Sequence, residues 1–574
     1  MDRNELIAFL RKSDDLLLTF NTDVLKDHIE QYTTNEYKFE SGFDEARYYY
    51  GLGNCFAALY NSHSSMWHSQ ELAKVVVCYR KALAKINKID SSPEIDMWKS
   101  MILTNLANYL SSQGRVLCCI ELYDEAIRLD NNPVAYVSKA RNELFIADSI
   151  YDSGHRDYHY FTAATLLDEL KPYAKYLEPE QRQPIEKGGR LNHFKNWFHE
   201  NYKYSAFDYF KGYKYEFYSD EQKSYLDWCA NNRLFLNDLN DVCGSEIVYQ
   251  DVLALSPFTQ KFNDLLTETD ELVYHVNYDE IKNDYCYARY LMFQALSINN
   301  DESHYYNRTF KHVDSRCGVI DNLKVSHLKS SFKTLYATFD KIAYFIHRFF
   351  DLNDISKDNK IYIDKLFQKL NGNGWKPNEK LEDGKNYFIN ALFFILQDLR
   401  DVKGFESVSK WIDPNSEKFS EIRNAMEHRS LVIVDSKSYN LIMSFDIVNK
   451  PSTERFNSDY SKLESELDKT NQTISNARKA KNKDLEQKHR DRQEELKVQL
   501  TSMKSQRYEK EKLSSHTLHI TADEFETRLF TLIKLVRNSI MYLSLAINLD
   551  SEMKKEHQEG IALPRDIPLR ENKL

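Results

Sequence analysis

Apolar side chains recur at alternating spacings of three and four residues along four segments in the C-terminal part of the chain. This spacing places the apolar residues on one face of an α-helix. The third and shortest helix begins after Pro414, where Asn415 or Ser416 can cap it. Four amphipathic helices of this kind predict a four-helix bundle. The four stripes are Leu328, Phe332, Leu335, Phe339, Ile342, Ile346 and Phe349; Phe388, Ala391, Leu392, Ile395 and Leu399; Phe419, Ile422 and Met426; and Phe525, Leu529, Leu532, Val536, Ile540, Leu543 and Ile547.

Paired short helices are predicted from about residue 45 to residue 170. The clearest pair runs from Leu106 to Pro133 and has the small and large positions of a tetratricopeptide (TPR) repeat. A looser copy, with an insertion between its helices, runs from Leu52 to Ala82. An irregular helical bundle is the alternative interpretation. The positions that carry the pattern are Leu106, Ala107, Leu110, Gly114, Cys119, Tyr123, Ala126, Asp130 and Pro133, and, in the looser copy, Leu52, Gly53, Phe56, Val75, Tyr79 and Ala82.

The segment from about Asp459 to Lys512 differs in composition from its surroundings. It contains no Gly or Pro, and two weak apolar seams run through a mostly charged sequence. Its 14 Lys and Arg residues against 11 Asp and Glu residues give a net charge of +3. We predict a helical hairpin or coiled-coil arm that protrudes from the bundle. A solvated structural arm and an RNA-contacting arm both fit this composition.

Together these patterns predict an all-α protein. Tyr278–Ala295 adds one more helix, with Ile281, Tyr285, Ala288 and Leu291 on one face. We divide the chain into TPR-like repeats (1–170), a helical middle region (171–320), the first part of the four-helix bundle (321–452), the inserted arm (453–512), the last bundle helix (513–550) and a C-terminal tail (551–574).

Composition and charge narrow the class of protein. A net charge of −10 and a pI near 6.0 exclude a surface built throughout for nucleic acid, so any such contact must be local. The N-terminal residues lack the apolar core of a signal peptide, and no uncharged stretch reaches the length of a membrane span. The eight cysteines have no zinc-like spacing. We therefore expect a cytoplasmic protein with no membrane partner.

The third bundle helix contains a cluster of residues whose side chains are suited to catalysis, in the sequence EIRNAMEHR. Asn424 and His428 are four residues apart and share a helix face, and Arg423 is long enough to reach the same surface. An exposed face of ion pairs, such as Arg423 with Glu427, is the bland interpretation of the same residues.

When the 2′-hydroxyl of RNA attacks the neighbouring phosphate, one proton must leave that hydroxyl and another must reach the departing 5′-oxygen. The negative charge that develops on the phosphate must also be stabilised. Histidine titrates in the right range for either proton transfer, so His428 is the candidate general acid or base. Arg423 can bind phosphate oxygens through two parallel hydrogen bonds. Asn424 can orient the imidazole or bind the substrate. This set requires no metal and no cofactor.

Three further groups of residues are predicted to have structural roles. His155 and His159 have metal-ligand spacing, but they follow Ser153 and Gly154 in a predicted loop without a third ligand, so we expect no metal site there. The dipeptide Arg537–Asn538 repeats the Arg–Asn pair without a His and is predicted to be a polar interruption that lines the bundle. Residues 225–242 are predicted to be a helix that ends in a buried polar loop.

The motif RNAMEH resembles the Arg-x4–6-His motif of HEPN domains, including the polar residue that HEPN ribonucleases usually carry after the Arg. The chain as a whole resembles a bacterial HEPN family with TPR-like N-terminal helices, through WCANNRLFLNDLND, FDKIAYFI, RNAMEHR and VRNSIMYLSLAI. The resemblance implies a dimer whose two motif helices form one cleft for metal-independent RNA cleavage, and a role as a toxin or in anti-phage defence. Ser430 stands where HEPN toxins with nucleotidyltransferase antitoxins often carry a Tyr, so neutralisation by adenylylation is not expected.

These observations lead to one functional expectation and one rival. We expect an endoribonuclease that acts on RNA as a homodimer or higher homo-oligomer, with Arg423, Asn424 and His428 as its catalytic residues. A protein or phage-derived trigger is expected at the groove of the TPR-like helices. The rival is a non-catalytic TPR and HEPN scaffold that binds RNA or protein.

Overall fold

The structure is a computed structural model of the chain. It describes residues 1–19, 22–34, 37–62, 67–256, 272–313, 318–352, 360–362, 366, 377–381, 383–399, 416–439, 450–479, 482–514 and 517–555.

Almost all of the regular structure is helical, which confirms the predicted all-α class. The helices are α1 Arg3–Thr19, α2 Thr22–Thr33, α3 Gly42–Ser62, α4 Gln70–Ile86, α5 Pro93–Ser112, α6 Val116–Asp130, α7 Pro133–Ala147, α8 Ser153–Glu169, α9 Pro179–Arg182, α10 Arg190–Asn201, α11 Asp208–Gly212, α12 Asp220–Asn231, α13 Val273–Leu296, α14 Leu323–Phe349, α15 Tyr387–Leu399, α16 Ser416–His428, α17 Lys450–Lys479, α18 Lys483–Ser514 and α19 Ala522–Lys555.

Local sequence signals start the N-terminal helices. Ser92 caps α5 and Asn132 caps α7, each through a side-chain oxygen that accepts a backbone N–H, and each is followed by a proline at the first helical position. Asp152 caps α8 in the same way. Consecutive helices then pack in pairs, α3 with α4, α5 with α6 and α7 with α8.

The positions that carry the repeat pattern lie inside these pairs. In the clearest copy Leu106, Ala107, Leu110, Cys119, Tyr123 and Ala126 are buried, and so are all the positions of the looser copy. At Gly53 a Cβ atom would lie 2.8 Å from the Tyr79 ring, so α3 and α4 approach more closely than a larger side chain allows.

The stripes predicted in the C-terminal part are confirmed as buried faces. All of the predicted positions on α14 except the half-buried Phe349, and all of those on α15 and α19, are buried. Helix α15 is buried on every side except at Tyr387 and Asp398, because N-terminal residues also pack against it. Trp67, for example, stacks edge-on against Phe393 with ring centroids 5.2 Å apart. A helix that is apolar all round requires such an enclosed position.

Helix α13 packs against two of the predicted bundle helices. The Tyr278 hydroxyl donates to the Ile540 carbonyl of α19, and Tyr274 packs edge-on against Phe349 of α14 with ring centroids 5.2 Å apart. The predicted Tyr278–Ala295 helix is therefore confirmed, and it lies at the bundle.

Two short strands were not predicted. β1 (Ser430–Val434) and β2 (Thr517–Thr521) form a parallel pair in which Ser430 faces Thr517 and Val434 faces Thr521. The backbone N–H of Ile320 donates to the Ile433 carbonyl at 2.9 Å, so residues next to α14 extend this small sheet. Both runs are rich in β-branched residues but only five residues long, which is too short for periodicity to identify a strand.

Helices α17 and α18 form an antiparallel hairpin between the two strands. Arg492 donates to Glu466 at 2.8 Å, and Arg478 donates to Glu486 at 2.8 Å, across the hairpin. The seam buries Tyr460, Thr470, Ile474, Ala477, Leu496 and Leu500.

The chain divides into two compact units, each built from discontinuous segments. One comprises residues 1–293, 330–420 and 530–574, and the other comprises residues 294–329 and 421–529. The first unit contains the N-terminal helices with α15 and most of α19, and the second contains the motif residues, both strands and the hairpin. The division into six segments that the sequence predicts stays a prediction.

Helix α19 is the one helix in the described part of the chain that is long and apolar enough to span a membrane by length and composition alone. In the protein, 72% of its most apolar stretch is buried. Burial of that kind is what the central helix of a bundle requires.

Candidate functional site

The motif residues lie on α16, a helix with one buried face. Phe419, Ile422 and Ala425 are almost fully buried, and the Phe419 ring stacks with Phe332 of α14 at a centroid distance of 6.3 Å. Met426, predicted for this face, is only half-buried, and Ala425 takes the inner position. Of the two predicted caps, Asn415 lies outside the described residues and Ser416 is the first residue of the helix. The buried face fixes which side chains the helix presents outward.

The three predicted catalytic residues lie on the outer face. His428 is 69% exposed and Arg423 is 33% exposed, while Asn424 is also exposed. The Arg423 guanidinium donates from Nη1 to the Asn424 side-chain oxygen at 3.3 Å. Exposure on this scale leaves the imidazole accessible to a substrate.

Glu427 lies between the arginine and the histidine. Its Oε2 atom is 2.9 Å from Nη2 of Arg423 and 3.7 Å from Nε2 of His428. The i,i+4 ion pair between Arg423 and Glu427, which the alternative interpretation of an exposed ion-pair face predicted, is therefore formed. Sequence reasoning treated Glu427 only as a structural partner, although its spacing to Arg423 and its adjacency to His428 were both visible.

The end of the motif helix is held by the small sheet. The Arg429 N–H closes the last turn on the Ala425 carbonyl, and β1 begins at the next residue, Ser430. Lys329 of α14 donates to the Leu431 carbonyl at 2.7 Å. His428 is thus two residues from an element that is hydrogen-bonded on both sides, and Lys329 is a cation near the motif that the sequence did not single out.

The other Arg–Asn dipeptide has a structural role, as its sequence suggested. Arg537 is 2% exposed and forms two hydrogen bonds with Asp241, at 3.0 and 2.9 Å. It also donates to the backbone carbonyls of Phe235 and Asn237. Arg537 of α19 therefore forms hydrogen bonds with the predicted buried polar loop after α12.

His155 and His159 belong to helix α8 and not to the predicted loop. His159 is fully buried, with Nδ1 2.6 Å from Glu143 and Nε2 3.0 Å from Asp238. His155 lies 2.8 Å from the other Asp238 oxygen. Burial opposes the charged form of His159, but hydrogen bonds with Asp238 and Glu143 outweigh it and raise the pKa of His159 to about 10. The same histidines hold the pKa of Asp238 below its usual range despite burial.

The residues that the structure describes contain no group of three His, Cys, Asp or Glu side chains arranged to hold a metal ion. In the His155 and His159 network both carboxylates, Asp238 and Glu143, are hydrogen-bonded to histidine, and one oxygen, Oε1 of Glu143, has no partner among the described residues.

Comparison with known protein families gives a match in the C-terminal half of the chain. The model of the LA2681-like HEPN family matches residues 266–480 and 461–550, a span that begins just before α13 and ends within α19. It therefore includes the motif helix, both strands and the hairpin. No curated protein and no solved structure matches the chain.

Proposed function

We propose that this chain, whose C-terminal half carries an LA2681-like HEPN domain, is a metal-independent endoribonuclease. The HEPN match supports a nuclease or other RNA-related function. The more specific proposal, endoribonuclease activity, is supported by one observation. Arg423, Asn424 and His428 lie on the outer face of a helix whose other face is buried.

Each side chain has a role in the proposed reaction. The 2′-hydroxyl loses its proton and its oxygen attacks phosphorus, while the bond to the 5′-oxygen breaks and that oxygen gains a proton. His428 serves as general base or general acid. Arg423 stabilises the charge that grows on the phosphate oxygens, and Asn424 orients the imidazole or binds the substrate. The products are a 2′,3′-cyclic phosphate and a 5′-hydroxyl.

The Arg423–Glu427 ion pair adds a step to this scheme. A guanidinium bound to a carboxylate must give up that contact before it can bind a phosphate with the same N–H groups. RNA binding therefore displaces Glu427 from Arg423. The ion pair is also the observation that favours the rival, a non-catalytic scaffold, because a solvated helix face forms such pairs without any function.

We also propose that the enzyme acts in the cytoplasm as a homodimer, as a toxin or anti-phage effector that a trigger activates. One His per chain cannot occupy separate acid and base positions, whereas two-fold symmetry supplies two. The TPR-like helices would receive a protein or phage-derived trigger. Contacts from these helices to α15 and α19 support a restraining role: Asp398 pairs with Arg80 and Arg115 at 2.8 and 2.6 Å, and the Tyr542 hydroxyl accepts the N–H of Leu117 at 3.0 Å.

RNA digestion with EDTA tests the proposed reaction. We expect cleavage that is insensitive to EDTA and leaves 2′,3′-cyclic phosphate ends. His428→Ala and Arg423→Ala should abolish it with little change in melting temperature, because neither side chain is buried. Exposed Arg429, the next residue after His428, provides the control variant Arg429→Ala, which should retain activity.

Three results would contradict the proposal. They are 5′-phosphate and 3′-hydroxyl products, full loss of activity on chelation, and an inactive wild type that binds RNA as tightly as His428→Ala. The last result would favour the scaffold.

A further inference from the structure

The α17–α18 hairpin satisfies its own apolar contacts. Its buried seam lies between the two helices, and residues on opposite helices are joined by side-chain hydrogen bonds. Leu485 and Val498 are its only described large apolar side chains that are strongly exposed, at 40% and 68%. The part of the outer surface that the structure describes therefore offers no apolar stripe on which a further helix could pack.

Charge is distributed unevenly along the hairpin. In sequence, residues 478–492, which run from the end of α17 into α18, contain seven Lys and Arg against three Asp and Glu, a net charge of +4. Residues 459–477 carry a net charge of −2, and residues 493–512 carry +1. The positive charge of the hairpin is thus concentrated at its tip, in a chain whose net charge is −10.

The cations of the tip outnumber the carboxylates that could neutralise them. Lys483 and Lys488 are exposed, and neither forms an ion pair with any residue that the structure describes. Arg478 and Arg490 share one carboxylate, that of Glu486, at 2.8 and 2.9 Å. Two guanidiniums on one carboxylate leave one positive charge in excess. The tip is therefore a local cationic surface of the kind that binds a polyanion.

We propose that the tip of the hairpin, formed by Arg478 and residues 482–492, binds the phosphate backbone of the RNA substrate. This inference rests on the proposed ribonuclease function and names how the substrate is held. The tip contains no Phe, Tyr or Trp on which bases could stack. Contact is therefore made with phosphates, and binding is independent of RNA sequence and weakens with salt.

The hairpin is connected along the chain to the motif helix through β1, which links RNA binding at the tip to the motif residues. The hairpin is the insertion between β1 and β2, and β1 begins two residues after His428. Helix α17 has 30 residues, so at a rise of about 1.5 Å per residue it is roughly 45 Å long. RNA bound at the tip is held by the same compact unit that carries Arg423, Asn424 and His428. Only a long RNA can use both surfaces, whereas a dinucleotide can occupy the motif alone.

A pair of matched double variants of the full chain tests the proposal. Lys483→Gln with Lys488→Gln removes two charges at the tip. Lys469→Gln with Lys504→Gln removes two charges from the shaft of the same helices, at exposed side chains that form no ion pair with any described residue. Both pairs are placed in a His428→Ala background, so that a mixed-sequence single-stranded RNA of about 40 nucleotides stays intact while its binding is followed by fluorescence anisotropy over a range of salt.

For the tip variant we expect the Kd to rise about fivefold to tenfold, and the slope of log K against log salt to fall in magnitude by about 1.4, as loss of two phosphate contacts predicts. The shaft variant should stay within about twofold of its parent. With His428 restored, the tip variant should cleave the long RNA with a raised KM and cleave a dinucleotide at the wild-type rate. Circular dichroism should show equal helix content in all variants.

Equal effects of the tip and shaft variants would overturn the inference, as would tip-dependent binding to phosphatidylserine vesicles without tip-dependent binding to RNA. If the wild type cleaves the long RNA and the tip variant cleaves it equally well, only the anchoring fails. If the wild type neither binds nor cleaves RNA, the proposed function fails as well.

Discussion

At the scale of single residues, the motif contains side chains accessible from solvent and one carboxylate, that of Glu427, which competes with any anionic ligand for Arg423. Arg423 and His428 are accessible, but Glu427 already occupies one face of the guanidinium. The state of this ion pair therefore decides how much of the arginine is available to phosphate.

We predict that Glu427→Gln increases ribonuclease activity. Loss of the carboxylate frees Arg423, and since exposed ion pairs contribute about 0.2–1 kcal/mol, kcat/KM should rise by up to about fivefold, mainly through a lower KM. Steady-state kinetics on a long RNA measures this. Glu421→Gln, which removes the same charge from an exposed position on the same helix, is the control. A fall in kcat for Glu427→Gln would instead give Glu427 a part in the reaction.

A second prediction at this scale concerns His159 and pH. Its pKa is about 10 in the folded chain, above the value near 6.5 of an unfolded histidine. A raised pKa means that the stabilisation is fully present below about pH 6.5 and is lost as the pH rises to about 10, by up to ~1.4 kcal/mol per pH unit for one proton.

Chemical denaturation between pH 6.5 and pH 10 should therefore show a falling free energy of unfolding in the wild type and a flatter profile in His159→Gln. His199→Gln, at a 40% exposed histidine, should keep the wild-type profile. Parallel profiles for wild type and His159→Gln would show that His159 is not charged in the folded protein.

At the scale of elements, close contacts between helices set the strictest demands on sequence. Gly114 follows α5 with φ +79, and a Cβ atom there would lie 2.0 Å from the Tyr387 carbonyl oxygen at the start of α15. The repeat pattern required a small residue at this position, but the packing of α15 requires glycine itself.

We predict that Gly114→Ala strongly destabilises the first compact unit. The left-handed backbone alone costs an alanine about 1–2 kcal/mol, and overlap with the Tyr387 carbonyl adds to this cost. Thermal unfolding should show a clear fall in Tm. Gly212→Ala, whose added Cβ would meet nothing within 4 Å, should leave the Tm almost unchanged. Equal melting temperatures for the two variants would mean that α15 does not pack at Gly114.

At the scale of the whole molecule, the N-terminal helices share buried contacts with α15 and α19. Expressing residues 321–574 alone would expose the apolar surface of α15. It is therefore a poor test of the proposal that the N-terminal helices restrain the nuclease. A point change at the surface is the sharper test. Lys534 of α19 pairs with Glu121 of α6 at 2.9 Å, with side chains that are 29% and 59% exposed.

We predict that Lys534→Gln raises basal ribonuclease activity and toxicity in cells by up to about fivefold, since loss of an exposed ion pair shifts a two-state equilibrium by at most ~1 kcal/mol. His428→Ala in the same chain should abolish the gain. Lys171→Gln breaks a comparable pair, with Asp168, away from α19 and serves as control. Unchanged activity in Lys534→Gln would contradict restraint through this contact and favour the repeats as a module that recruits substrate.

We also predict a symmetric dimer at micromolar concentration, because the proposed reaction would benefit from two histidines and each motif supplies one. Sedimentation velocity measures the oligomeric state, and the activity of the wild type should fall on dilution below the dissociation constant of the dimer. A fully active monomer would contradict the prediction.

Several features of the protein were determined by sequence alone, because they depend on local periodicity. The stripes of α14, α15 and α19, the buried positions around Leu106 and Tyr123, and the helices of the hairpin follow from spacings within one or two helices. The outward face of α16 follows in the same way, since Phe419 and Ile422 fix which residues point inward.

Tertiary structure decided what depends on residues distant in sequence. β1 and β2 lie more than 80 residues apart and are each too short to be identified, so only their pairing defines them. The need for glycine at position 114 comes from Tyr387, and the raised pKa of His159 comes from Glu143 and Asp238. Periodicity identifies which face of a helix is buried, but the partner of that face is chosen by the fold.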